Sequence, residues 1–105
     1  MKIDFSQNIL GLDGSPFRLT DEDGSPLATL KDVAITALSL LTPAERERGI
    51  SATDQARRYA LMVRIYDAPA EIDLPAEDIS LIKSLVPVAY PSPRFGGPAL
   101  KLLDG

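Results

Sequence analysis

Few residues in this chain could do chemistry. The run Asp21-Glu22-Asp23-Gly24 sets carboxylates ahead of a glycine, as part of a calcium-binding EF-hand loop does. If Gly24 takes the sixth loop position, however, Leu19 falls at the first and Leu30 at the bidentate twelfth, where oxygen ligands are required. The run therefore reads as an acidic turn, and no metal is expected. Arg46, Arg48, Arg57, Arg58 and Arg64 are five of the eleven basic residues and could meet an anionic partner. Glu45, Glu47 and Asp54 lie among them and leave an excess of only two positive charges, a pattern usual for a solvated helix face. Glu77 and Asp78 are adjacent, so on a helix they point apart and form no acid/base dyad. Gly96-Gly97 lacks the spacing of a phosphate-binding loop.

The chain contains neither histidine nor cysteine. That excludes His-dependent triads, thiol catalysis, disulfides and the usual zinc ligands. No catalytic, cofactor-binding or metal residue is assigned, and a non-enzymatic role is expected. Aromatic residues remain as binding candidates. Tyr59 and Tyr66 are seven apart and share one side of a helix, where core packing is the first reading and a partner surface the second. Tyr90, Phe95 and Leu100 join them as partner-contact candidates. The alternative is a DNA-binding regulator using Arg46, Arg48, Arg57 and Arg58. A net charge of -4 and a pI near 4.7 argue against it, because phosphate contacts come mainly from Lys and Arg.

Several elements must carry these residues. Leu30, Val33, Ala34, Ala37, Leu38 and Leu41 keep the spacing of one helical face, Thr29 and Asp32 make a capping-box pattern, and Pro43 follows. This predicts a core helix over 30–41 with Ile35 and Leu40 off the main stripe, so cover is needed on more than one side. Upstream, Asp13-Gly14-Ser15-Pro16 is echoed ten residues later by Asp23-Gly24-Ser25-Pro26; both read as turns between short strands. They predict a β-hairpin or a three-stranded meander over residues 3–28, with Phe5, Ile9, Phe17, Leu19 and Leu27 turned toward the helix.

Downstream, Thr42-Pro43-Ala44-Glu45 starts a connector of one or two helical turns that Gly49 ends. A second long helix over 52–67 follows, whose face of Ala56, Tyr59, Ala60, Val63 and Tyr66 or Asp67 is expected to be mostly buried, with Leu61 and Ile65 widening it. Ala68-Pro69 ends that helix, and residues 72–75 read as a linker. Ile79, Ile82, Leu85 and Val86 mark a third helix that Pro87 ends or kinks. The rest is too rich in proline and glycine for regular structure, save a last helical turn over 98–103.

The segments Met1-Lys2-Ile3-Asp4-Phe5-Ser6-Gln7, Ile9-Leu10-Gly11-Leu12-Asp13-Gly14, Thr29-Leu30-Lys31-Asp32-Val33-Ala34, Arg58-Tyr59-Ala60-Leu61 and Ile79-Ser80-Leu81-Ile82-Lys83 together resemble small proteins of tailed bacteriophages and prophages. The resemblance rests on turn, capping and core residues. It implies a genomic setting and a fold rather than an activity, and it favours accessory proteins that act by binding.

The sequence thus predicts one α+β domain of 105 residues: a β-hairpin region (1–28), about three helices (29–86) and an irregular proline-rich tail (87–105). The expected role is protein–protein interaction, for instance in virion assembly, in the cytoplasm of a bacterial host. No signal peptide or membrane span is read from the sequence. A homo-oligomer paired through the first or second helix is compatible with the apolar content.

Overall fold

A computed structural model describes residues 1–19, 24–68 and 70–104. Its elements in chain order are β1 (Lys2–Asp4), α1 (Leu30–Ser39), α2 (Pro43–Arg48), α3 (Ala52–Asp67), β2 (Glu71–Asp73), α4 (Ala76–Ala89) and α5 (Pro93–Leu103). Helices and a small two-stranded antiparallel sheet make this an α+β arrangement.

α1 forms as the periodicity requires as far as Ser39, and Leu41 of the expected stripe falls outside it. The Thr29 hydroxyl accepts from the Asp32 amide, and the Asp32 carboxylate accepts from the Thr29 amide at 3.0 Å, so each end of the capping box satisfies a donor that the first helical turn leaves over. Leu30, Val33, Ala34, Ala37 and Leu38 are all buried, against α3, α4 and α5. Ile35 is half-buried and packs on the same core. Thr42 and Glu45 repeat the capping box at α2, which ends at Gly49 with φ of 79°.

Among the described residues the hairpin expected within residues 3–28 forms no regular ladder, only single antiparallel bridges. β1 pairs instead with β2, in the register Lys2↔Asp73, Ile3↔Ile72 and Asp4↔Glu71, so the segment read as a linker is a strand. Burying Ile3 and the following Leu74 on one side gives both strands the alternation that stabilises a half-buried sheet. No three-stranded meander is present among the described residues. Residues 8–29 are held by the single bridges Asn8↔Thr29, Leu10↔Pro16 and Arg18↔Leu27. Pro16 and Pro26 have no N–H to donate, which keeps these bridges from growing into ladders. At their centre the Ile9 amide donates to the Ala28 carbonyl (2.9 Å), the Ala28 amide to Phe17 (2.7 Å), and the Phe17 amide back to Ile9 (2.8 Å), a closed triangle of hydrogen bonds. Gly14 turns the first arm with φ of 83°, a conformation that suits glycine. Phe5 and Ile9 are fully buried, Phe17 and Leu27 half-buried, and Leu19 faces solvent.

At the C-terminal end, of the two readings of Pro87 the helix end is ruled out and the continuation through it stands, while the irregular tail needs correction. α4 runs through Pro87 to Ala89, because Pro87 sits on the exposed side while Leu85 and Val86 anchor the core side. The tail is a full helix rather than an irregular segment. Pro93 occupies its first turn, where a missing N–H costs nothing, and Ala99 and Leu103 bury against the core. Gly96 allows the close packing: a Cβ there would lie 2.9 Å from the Tyr90 carbonyl oxygen.

Candidate functional site

α3 is positioned by three polar ties. Ser51 caps its first turn through the Asp54 amide at 3.1 Å. Lys31 on α1 donates to the Tyr66 and Ala68 carbonyls, both at 3.1 Å, placing a cation at the negative end of the helix dipole. Arg64 donates to the Asp73 carbonyl on β2 at 3.1 Å.

These ties hold α3 with Leu61 and Ile65 turned inward, as expected, but with the rest of the expected face turned outward. Leu61, Ile65 and Arg58 are its buried residues, whereas Ala52, Ala56, Tyr59, Ala60, Val63 and Tyr66 are all exposed. Tyr59 is 67% exposed, Tyr66 69% and Val63 40%. The reason lies in what each face would cost to bury. At 3.6 residues per turn Asp67 falls on the Ala/Tyr/Val face, so turning that face inward would strip a carboxylate of water. The other face offers Leu61 and Ile65, and the one charge that it buries is already matched. Arg58, 8% exposed, grips both Glu45 carboxylate oxygens in a bidentate pair at 3.2 and 2.5 Å. The hydrogen bond from Arg58, helped by the Thr42 amide, holds the Glu45 carboxyl below its ordinary range.

The other sequence candidates divide. Tyr90 and Phe95 sit at the start of the α5 packing, with ring centroids 4.8 Å apart, and Phe95 meets Phe17 edge-on at 5.0 Å. With Leu100 they are half-buried against the core, so they join α5 to the molecule. Arg57 pairs with Asp78 at 3.0 Å, which raises its already high pKa. Arg46 and Arg48 lie exposed on α2. The four arginines of the nucleic-acid reading therefore do not share one free surface. Asp21 and Asp23 lie outside the described residues, as do Glu22 and Pro69; among the described residues no group of three or more carboxylates gathers to hold a metal ion.

An open groove of about 1120 Å³, not anticipated from sequence, runs between the N-terminal segment and α5. Leu10, Leu12, Pro98 and Leu102 give it apolar walls, and Lys2, Lys101, Asp4 and Glu71 add charges of both signs to its lining. Hydrogen bonds from the Ser6 hydroxyl and amide keep the Asp4 carboxyl below its usual range. The only sequence signal for it was the pair Leu10 and Leu12 beside a turn, both exposed in the structure. No helix among the described residues is long and apolar enough to cross a membrane. Compared with protein-family models, curated proteins and solved structures, the chain matches none.

Proposed function

We propose that this chain is a non-enzymatic accessory protein of a tailed phage or prophage, acting by protein–protein contact in virion assembly through the outer face of α3. One observation carries the reading: Tyr59, Val63 and Tyr66, with the alanines between them, line a single exposed helix face. Tyrosine is enriched at protein contacts because its ring buries area at low entropic cost while its hydroxyl stays hydrogen-bonded. The phage setting is supported by the resemblance of the turn, capping and core segments. The DNA-binding alternative draws less support, since Arg58 and Arg57 are committed to Glu45 and Asp78.

The test is affinity capture from phage-producing cells with the intact chain and with a Tyr59→Ala, Tyr66→Ala double variant, both checked for folding by circular dichroism. Specific partners should be lost with the variant. Retention of every partner would overturn the reading, and salt-sensitive retardation of duplex DNA would favour the regulator instead.

A further inference from the structure

The α3 face has a self-complementary pattern. Resting on the reading that this face is the contact surface, we infer that its occupant is a second copy of this chain, with the two α3 helices antiparallel about a two-fold axis beside Val63.

Shape supports this pairing. On α3, Ala56, Tyr59, Ala60 and Val63 stand at i, i+3, i+4 and i+7 and outline one hole of the knobs-into-holes kind. Its two alanines make it deep. With the axis between positions 62 and 63, Tyr66 of one copy lies level with Tyr59 of the other on the same flank, so the two rings meet, while Ala56 and Ala60 toward the other flank let the helices approach closely. Symmetry makes the same contact twice, and the two Val63 side chains meet at the centre.

Charge supports the same orientation. A two-fold axis perpendicular to the helices keeps each flank of one α3 beside the same flank of the other. Asp67 then approaches Arg57 of the second copy on both sides of the axis. Arg57 holds Asp78 through one terminal nitrogen, leaving a second on the same fork. Asp67 is exposed and has no ion pair among the described residues. Antiparallel helices also align their dipoles favourably.

Size sets the strength. A helix of 16 residues is about 24 Å long, so one helix pair gives a contact at the small end of specific interfaces. The dimer should therefore dissociate in the micromolar range, on the order of 1–100 µM.

Sedimentation equilibrium of the full chain tests self-association, and the absence of native cysteine makes the orientation readable. The chain should dimerise, and Tyr66→Ala should weaken the dimer at least about tenfold with the fold unchanged. Under mild oxidation Val63→Cys should cross-link. Ala52→Cys should not, because its two copies lie about 30 Å apart along the antiparallel pair. A monomer at about 100 µM overturns the inference. So does a Tyr66→Ala dimer as strong as the parent, or an Ala52→Cys chain that cross-links as readily as Val63→Cys, which would mean parallel packing. A monomeric chain whose α3 variants still lose captured partners would refute self-pairing while leaving the proposed function standing.

Discussion

Arg58 and Arg57 are neighbours in sequence with different work to do. Arg58 docks α2 onto α3 through a bidentate pair and is itself nearly buried, whereas Arg57 meets Asp78 through one nitrogen and stays nearly half exposed. Truncating Arg58 strands the Glu45 carboxylate, so Arg58→Ala should lower stability by about 2 kcal/mol. Arg57→Ala should cost less, a smaller drop in the urea midpoint, because Arg57 is nearly half exposed and Asp78 keeps the positive end of α4. The same pair leaves a signature in pH. Because the folded protein holds the Glu45 carboxyl below its unfolded value, the pair contributes fully above about pH 4.3 and is lost as pH falls through the depressed folded value. In thermal melts, the stability difference between the parent and Glu45→Gln should therefore shrink as the solution is acidified below that point. A constant difference down to pH 2 would refute the assignment. Sequence showed these residues only as a mixed-charge stretch; which arginine meets which acid depends on the path of α2, beyond the reach of spacing alone.

At the level of elements, capping chemistry was the most legible signal. Thr29, Thr42 and Ser51 each mark a helix start, because a side-chain acceptor for an orphan amide is a local requirement. Proline and glycine were misleading. Pro87 and Pro98 both lie inside helices, since tertiary packing of the flanking apolar residues outweighs one missing donor. α5 offers a sharp contrast between its two adjacent glycines. A Cβ at Gly96 would strike the Tyr90 carbonyl, while one at Gly97 meets nothing within 4 Å. Gly96→Ala should cost about 1–3 kcal/mol, and Gly97→Ala should stabilise by about 0.5–1 kcal/mol through the lower entropy of the unfolded chain. Denaturant titration of both variants decides it; equal effects would mean that α5 is not seated as described. The orientation of α3 was the costliest misreading. It carries apolar residues on both sides, and the choice between them turned on Asp67 and on Arg58 finding Glu45.

For the molecule as a whole, the α+β composition and the central place of α1 followed from periodicity, but the connection between the chain's distant parts did not. Strand pairing of Ile3 with Ile72 joins segments that no turn signal relates. Such a pairing is chosen only once α1, α3 and α4 bring the segments together. The same holds for the triangle at Ile9, Phe17 and Ala28, and it bears on how the molecule opens. A ladder can fray from its end, one bond at a time. A ring has no end: displacing any of the three segments breaks two of its bonds at once. At least two of the amide protons of Ile9, Phe17 and Ala28 should therefore exchange with solvent at one common free energy of opening, despite lying on loops that look unlike one another in length and exposure. Measured exchange that ranks the three amides in separate steps would show that the arms come away singly. A shared value would make the N-terminal segment a latch that is either shut or fully released.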